Sequence, residues 1–341
     1  MDKCLFISKS ALLDNVLHYA STTNKDIIAV IKNNAYGHGV KEVLSILEEA
    51  EIKMYAVSNI YEAVEARKYT KRDILIMDKI EDYTSIDNGM VITVISKKHL
   101  LELIRLDLPL RIHLKVNVGM RRKGIESNEI QECIRLINKS NLLLEGIYTH
   151  FSTYKNKQLK KEFEIYKITI NKIDISGLML HASSSISSLV LRENVTNAIR
   201  IGVGMYGLKK VVKEMAPLRI TTELKCEIKN SYKIKNGDTF SYGNIYHGKS
   251  GYIFMANIGY GDGLFYHKKM KGIIEGDFIK EIGTRNMDNT YFFSKNYFLE
   301  GSIIEIYGNN VKMDYISKKN RIAVCRLLAL LNANIKKEII E

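Results

Sequence analysis

The feature of this sequence that most constrains its fold is a regular alternation of short apolar runs with amphipathic segments, from about residue 27 to residue 201. The apolar runs have the length of buried strands, and the segments between most of them show helical periodicity. Strands that are joined by helices pair in parallel and bury both faces. The alternation therefore predicts a (β/α)8 barrel, with a doubly wound open sheet as the alternative that the pattern leaves open.

The barrel prediction rests on eight candidate strands with helices between most of them. The strands are Ile27–Ile31, Met54–Val57, Ile74–Met77, Val91–Val94, Leu110–Val116, Leu143–Tyr148, Leu178–His181 and Ala198–Ile201. The helices include Ile60–Lys68, Lys98–Leu106, Ser127–Ile137 and Leu159–Ile170. A serine-capped amphipathic helix is predicted from Ser8 towards Ala20, and another helix begins near Gly39.

The sequence changes character after Gly207, where strands separated by glycine turns replace the alternation. Such a pattern is typical of an all-β domain. We therefore predict a barrel over residues 8–215 and a C-terminal β domain over residues 216–341. The predicted strands of the second domain are Leu218–Glu227, Asp238–Tyr242, Tyr252–Ile258, Ile273–Lys280 and Ser302–Tyr307.

Charge and cysteine content argue against several classes of protein. The formal net charge is +13, but Lys and Arg are scattered without an RNP, zinc-finger or heptad pattern, so a solvated surface is favoured over nucleic-acid binding. The four cysteines lie far apart without a C-x-x-C motif, which argues against a metal site and fits a reduced protein. No apolar run has the length of a signal sequence or a membrane span. We expect a soluble, cytoplasmic protein that binds neither metal, membrane nor nucleic acid.

A lysine directly follows the first predicted strand. Residues 30–39 read Val-Ile-Lys-Asn-Asn-Ala-Tyr-Gly-His-Gly, so the chain passes from a buried strand through Lys32 into turn-forming residues. The carboxyl ends of barrel strands form the face where catalytic groups collect. Partial desolvation there favours a neutral, nucleophilic amine, which suits Schiff-base chemistry. The ordinary alternative is a solvated lysine at a strand end.

Further polar side chains come near the ends of later predicted strands. Arg122 lies in a cationic turn, where it could hold a carboxylate or a phenolate oxygen. His150 follows the strand that starts at Leu143, although a single histidine is more often a hydrogen-bonded core residue. Ser185 lies in a serine-rich segment that could cap a helix or bind phosphate.

The eighth predicted strand ends in a glycine-rich segment. Gly202, Gly204 and Gly207 spell G-x-G-x-x-G, but a dinucleotide site also needs a following helix and an acidic residue about twenty positions later. The late position of the motif and the doubtful helix favour a different interpretation. We expect the backbone N–H groups of Gly202 and Val203 to contact a phosphate.

Residues 30–39 resemble the cofactor-lysine motif of the alanine racemase family, and further motifs extend the resemblance over nearly the whole chain. The resemblance implies that Lys32 carries pyridoxal 5′-phosphate (PLP) covalently and that Tyr36 binds its phosphate. It implies that Arg200 faces the pyridine nitrogen and keeps it unprotonated, which limits side reactions such as transamination. It implies three further cofactor contacts, at Arg122, His150 and Ser185, in addition to the phosphate contacts expected at Gly202 and Val203.

The resemblance continues in the second domain. Residues 258–263, Ile-Gly-Tyr-Gly-Asp-Gly, resemble the run that carries the family's catalytic tyrosine, here Tyr260, and Met287 resembles a residue that helps hold the substrate carboxylate, as Arg122 also would. The family implies that residues 1–7 join the β domain, and that a head-to-tail homodimer brings Tyr260 to the site of the other subunit. Lys32 and Tyr260 would then exchange α-protons with L- and D-alanine, which supplies D-alanine for peptidoglycan.

The chain also departs from the family pattern. Asn117, Val118 and Arg121 replace the usual residues around Lys115, which matches a lysine that is often carbamylated. A tyrosine that contacts the phosphate in the family is absent near Cys325. A serine or broad-specificity racemase therefore stays open. A non-catalytic PLP-binding protein is less favoured, because such relatives lack the β domain, and a nucleic-acid-binding protein is the least favoured alternative.

Overall fold

The computed structural model describes residues 2–208, 212–264 and 268–341. The chain divides into two compact units, which we call the barrel unit and the β unit. The barrel unit comprises Leu12–Ala35 and the described part of Val43–Arg219. The β unit comprises Tyr36–Glu42 and the described parts of Met1–Ala11 and Ile220–Glu341.

The barrel unit contains a closed barrel of eight parallel strands, which confirms the predicted fold class. The strands pair in chain order, and the last one pairs with the first to close the barrel. They are β2 (Asp26–Val30), β3 (Met54–Val57), β4 (Ile74–Ile76), β5 (Met90–Val94), β6 (Arg111–Lys115), β7 (Leu143–Tyr148), β8 (Met179–Ser184) and β9 (Ala198–Ile201). Strand β8 continues three residues beyond its predicted end.

The barrel strands are apolar because both of their faces are covered. All three residues of β4 and all four of β3 are buried, so neither strand shows the alternation of a sheet with one solvated face. Burying one Ile or Leu side chain stabilises the fold by roughly 1.5–3 kcal/mol. This repeated burial explains why the apolar runs predicted the strands with an error of only one or two residues at most ends.

Helices α1 to α8 accompany the barrel strands along the chain. They are α1 (Lys9–Thr23), α2 (Lys32–Tyr36), α3 (Val40–Leu47), α4 (Ile60–Arg67), α5 (Lys97–Leu106), α6 (Ile130–Ile137), α7 (Asn156–Ile170) and α8 (Ser187–Val190). Ser8 caps α1, because its Oγ accepts the N–H of Ala11 at 3.2 Å, as its position in the sequence predicts. Of the described helices, none is both long and apolar enough to cross a membrane.

The β unit is built on an eight-stranded, mainly antiparallel sheet. Its first strand comes from the start of the chain and pairs antiparallel with β10 and parallel with β18. In spatial order the strands are β13 (Gly251–Ala256), β16 (Thr290–Ser294), β15 (Asp277–Ile282), β14 (Lys271–Ile274), β17 (Ile303–Tyr307), β10 (Thr222–Ile234), β1 (Lys3–Ser8) and β18 (Lys336–Ile340). A two-stranded ribbon adds β11 (Thr239–Phe240) and β12 (Asn244–Ile245).

Two predictions for this region are wrong in detail. The strand predicted over Ile273–Lys280 is a hairpin of β14 and β15, because Glu275 and Gly276 form a tight turn with φ of 50° and 90°. The domain is also not entirely β, since it includes the helices α9 (Met313–Asn320) and α10 (Val324–Ala329). Neither helix has a side-chain cap at its start, so the usual sequence signal for a helix is missing.

Candidate active site

Lys32 occupies a fixed position at the carboxyl end of β2. The N–H of Ile31 donates to the carbonyl of Ala56 at 2.9 Å, which continues the pairing with β3 beyond the end of the strand. The site is therefore built on the rigid barrel rather than on a long loop. Strand β9, which carries Arg200, pairs with β2 on its other side. Lys32 thus follows the strand that neighbours the one carrying Arg200.

The backbone after Lys32, in the segment labelled α2, is a left-handed turn and not a right-handed α-helix. Asn33, Asn34 and Ala35 have φ of 52°, 51° and 53°, a conformation that costs about 1–2 kcal/mol for each residue with a side chain. Two hydrogen bonds hold it, from the N–H of Ala35 to the carbonyl of Ile31 at 2.9 Å and from the N–H of Asn33 to a Glu62 carboxylate oxygen at 2.8 Å. Strain that the surroundings maintain is typical of functional sites.

Arg200 is the most extensively bonded residue of the site. The residue is 3% exposed, and its guanidinium carbon lies 4.9 Å from the ring centroid of Tyr148. Nη1 contacts Nδ1 of His181 at 2.8 Å and donates to its carbonyl at 3.0 Å. Nη2 donates to the carbonyls of Thr149 and Ala182 at 2.5 and 3.0 Å. Burial lowers the pKa of Arg200 to about 10, so the side chain stays charged at neutral pH.

Arg200 also sets the tautomers of three histidines, of which His113 and His181 are buried and His150 is partly buried. A guanidinium can only donate, so it makes acceptors of Nδ1 in both His181 and His150, the latter at 3.3 Å. His181 then carries its proton on Nε2 and donates to Nδ1 of His113 at 2.9 Å. Burial, with the Arg200 charge as a further cause, lowers the pKa of His113 and His150 to about 3 and that of His181 well below its usual value. All three are therefore neutral, and His150 presents an Nε2–H group.

Lys115 ends β6 as a buried amine. It is 6% exposed, and its Nζ lies 5.6 Å from the ring centroid of Tyr148. Burial, followed by the charges of Arg122 and Arg200, lowers its pKa to about 8. Arg122 itself is exposed. Its charge is one of the further causes, after burial and the charge of Arg200, that lower the pKa of His150.

The loop that carries Arg122 contains a strained residue. Arg121 has a φ of 50°, and its N–H donates to the Asn117 side-chain oxygen at 3.1 Å. The Asn117 amide in turn donates to Glu126 at 2.7 Å. Asn117 thus stabilises a turn that glycine would adopt without strain. Two of the residues that depart from the family pattern therefore interact with each other.

Ser185 and the glycine-rich segment form a polar corner after β8 and β9. The Ser185 Oγ accepts the N–H of Gly202 at 2.9 Å and that of Gly204 at 3.2 Å, with Val203 between them. Ser185 is 2% exposed. Tyr19 of α1 also reaches this corner, because a Cβ on Gly204 would lie 2.0 Å from the Tyr19 Oη. Backbone amides and hydroxyls at the carboxyl end of a barrel are suited to bind an anion.

Within the β unit, Tyr260 and Met287 lie in two adjacent segments. The Tyr260 N–H donates to the carbonyl of Asn286 at 3.0 Å, and the Gly261 N–H donates to that of Met287 at 2.8 Å. Both predicted side chains are exposed, Tyr260 to 41% and Met287 to 56%. Tyr36 also belongs to the β unit, where burial raises the pKa of its phenol.

The structure thus groups the predicted residues in two sets. The β unit contains Tyr36, Tyr260 and Met287. The barrel unit contains Lys32, Arg122, His150, Ser185, Arg200, Gly202 and Val203. The sequence analysis did not identify His113, His181 or Tyr19 as site residues. The position of His181, a polar residue at the end of the seventh predicted strand, was a signal that could have identified it. No comparable sequence signal marks Tyr19. Over the described ranges, no group of three or more His, Cys, Asp or Glu side chains could hold a metal ion.

Comparisons with known proteins agree over the whole chain. Residues 7–210 match the family model of the alanine racemase N-terminal domain, and residues 221–339 match that of the C-terminal domain. An alanine racemase of Streptococcus uberis is 34% identical over 83% of this chain and 81% of its own. An alanine racemase of Listeria monocytogenes serotype 4b is 31% identical over 98% and 96%. The solved structure of an alanine racemase from Clostridium difficile 630 has a TM-score of 0.93 and 25% identity, covering 100% of this chain and 96% of that one.

Proposed function

The chain belongs to the alanine racemase family, and from this premise we propose that it interconverts L-alanine and D-alanine with PLP held covalently at Lys32. One observation carries the proposal for the site: the Lys32 amine comes directly after the end of β2, and the neighbouring strand β9 carries Arg200, a buried donor that is charged at neutral pH. A surface lysine with no function would not need this arrangement.

The residues of the barrel unit fit the chemical groups of PLP. The phosphate of PLP needs hydrogen-bond donors, and the corner at Ser185 concentrates hydroxyl and backbone N–H groups. The pyridine nitrogen accepts a hydrogen bond when it is unprotonated, and Arg200 can only donate. We propose that Arg122 and His150 lie beside the ring and that four residues hold the phosphate, namely Tyr36, Ser185, Gly202 and Val203.

The chemistry requires one proton to leave the α-carbon and another to arrive on its opposite face. PLP, when bound, supplies the electron sink that stabilises the negative charge on that carbon. Lys32 would hold or release a proton at Nζ on one face, and Tyr260 at its phenolic oxygen on the other. A phenol is a weak base unless its anion is stabilised. The Nε2–H of His150, whose tautomer Arg200 sets, is a donor that would stabilise the phenolate.

A homodimer would supply the second face of the site. Tyr260 belongs to the β unit and is exposed, as is Met287, which we propose helps hold the substrate carboxylate through its backbone. Two-fold, head-to-tail pairing gives two identical sites, each formed by the barrel unit of one subunit and Tyr260 of the partner subunit. Each reacting group must come within roughly 3–3.5 Å of the α-carbon proton it exchanges.

The test is a chiral assay over a panel of substrates. Purified protein with added PLP is incubated separately with L-alanine, L-serine and other L-amino acids, and the enantiomers are separated by chromatography. We expect D-alanine to form fastest, and Lys32→Ala with the same PLP to form none. Faster formation of D-serine would overturn the alanine specificity but not the reaction class. Absence of any D-amino acid would overturn the proposed function.

A further inference from the structure

A buried tyrosine of the barrel unit carries a hydroxyl group without a partner. Tyr19 lies on α1 and is 0% exposed, and in the described structure its Oη forms no hydrogen bond. Buried polar groups are nearly always paired, because an unpaired donor loses its bond to water and gains none in return. This hydroxyl therefore requires an acceptor that the protein alone does not provide.

The position of Tyr19 indicates where that acceptor belongs. The Oη lies beside Gly204, whose added Cβ would be 2.0 Å from Oη and 2.9 Å from the Cβ of Ser185. Tyr19 thus lies at the polar corner where the N–H groups of Gly202 and Gly204 meet Ser185. Each of these groups is a hydrogen-bond donor, and none of them carries a negative charge.

A count of donors and acceptors excludes Ser185 as the missing partner. A serine hydroxyl has two acceptor lone pairs and one proton. Its Oγ already accepts from Gly202 and from Gly204, so it can only donate. Burial raises the pKa of the Tyr19 phenol, and the nearby Ser185 hydroxyl offsets only part of this rise. The raised pKa keeps the Tyr19 proton in place at neutral pH, and this proton has no acceptor.

We propose that Tyr19 is a ligand of the PLP phosphate group, which accepts its hydroxyl proton. The inference rests on the proposed function, since it takes PLP as the cofactor. A phosphate group is rich in acceptors and would satisfy Tyr19 and Ser185 together. The alternative is that Tyr19 only fills space behind the site, in which case its hydroxyl would contribute nothing to cofactor binding.

Gly204 is part of the same arrangement. Its φ is not in the left-handed region, so its backbone would accept alanine. A methyl group at this position would overlap with the Tyr19 Oη, 2.0 Å away. Gly204 therefore leaves the space that the hydroxyl occupies. Gly204→Ala should displace that hydroxyl, and the effect should depend on the presence of the oxygen atom in Tyr19.

The experiment compares PLP with pyridoxal, which lacks the phosphate, as ligands of the cofactor-free protein. Tyr19→Phe should weaken PLP binding about tenfold to a hundredfold, the range for a hydrogen bond to a charged group, and leave pyridoxal binding unchanged. The ³¹P resonance of bound PLP should also shift. Tyr166→Phe is the matched control, because Tyr166 is equally buried and its hydroxyl donates to the Ile147 carbonyl at 2.8 Å. Tyr166→Phe should not change the ratio of the PLP affinity to the pyridoxal affinity.

A double-mutant cycle supplies the second test. Gly204→Ala should weaken PLP binding in the wild-type background and weaken it less when Tyr19 is already phenylalanine. A PLP affinity of Tyr19→Phe within about twofold of wild type, or an equal loss for pyridoxal, would overturn the inference. If the wild-type protein binds PLP and racemises alanine in that case, only the role of Tyr19 fails. If the wild-type protein does not bind PLP, the proposed function fails with it.

Discussion

Replacing Lys115 with methionine should make the protein more stable at neutral pH, and this gain should disappear in alkaline solution. The Lys115 side chain is 6% exposed, and burial, followed by the charges of Arg122 and Arg200, lowers its pKa from 10.5 to about 8. Methionine has a similar length and carries no charge. The substitution therefore removes the cost of burying an ammonium group next to two other cations.

The sign and size of the effect follow from proton linkage. Between pH 8 and pH 10.5 the unfolded chain binds the proton and the folded chain does not, so the free energy of unfolding of the wild type rises with pH. Below pH 8 both states are charged, and the full cost opposes folding. The interval of about 2.5 in pKa corresponds to about 3 kcal/mol. Lys115→Met should gain up to about 3 kcal/mol at pH 7, and only the packing difference above pH 10.5.

The assay is denaturant unfolding of wild type and Lys115→Met across this pH range. The buffers are free of CO2, because carbamylation of the neutral amine would change its charge. Lys139→Met is the control at an exposed lysine, where no burial cost exists to be removed, so its difference from wild type should stay near zero. Two results would contradict this prediction. One is a Lys115→Met variant that is no more stable than wild type at pH 7, and the other is a difference in free energy of unfolding between the two proteins that does not change with pH.

Three further changes test other parts of the account. Gly37→Ala should lower the free energy of unfolding by more than about 1 kcal/mol, because φ is 88° and the new Cβ would lie 2.0 Å from a backbone carbonyl oxygen. Gly177→Ala, with φ of 74° and open space around it, measures the cost of the left-handed backbone alone. Equal losses of unfolding free energy in the two variants would show that the Cβ at position 37 does not clash. Arg200→Glu, once circular dichroism has shown that it is folded, should slow racemisation and raise pyruvate formation by transamination. An unchanged ratio of pyruvate to D-alanine would count against the role of Arg200. Inactive Lys32→Ala and Tyr260→Phe, mixed to exchange subunits, should recover about a quarter of wild-type activity, and heterodimers without activity would exclude a shared site.

The barrel could be predicted from the sequence because its physical cause is local. A parallel strand covered on both faces needs a continuous apolar run, and such a run can be recognised without knowing its neighbours. The β unit was harder to predict. A two-residue turn at Glu275 and Gly276 divides the segment Ile273–Lys280, which was predicted as a single strand. Strand β16, which alternates buried and partly buried residues from Thr290 to Ser294, was missed.

The candidate site divides in the same way. Lys32, His150 and Arg200 could be named because each lies in or beside a strand end that carries a motif. The chain of contacts from Arg200 through His181 to His113 could not be named, because it depends on which side chains of β6, β8 and β9 point into the barrel together. Tyr19 is the extreme case, since nothing near it in the sequence distinguishes it from a core residue of α1.

The central claim, that Lys32 carries the cofactor, is tested most directly by reductive labelling. The protein is incubated with PLP, treated with borohydride to make the bond to the lysine amine permanent, digested and mapped by mass spectrometry. The account predicts a pyridoxyl group on the peptide that contains Lys32, and no such label in Lys32→Ala. A label on a different lysine of the wild type, or no label at all, would contradict it.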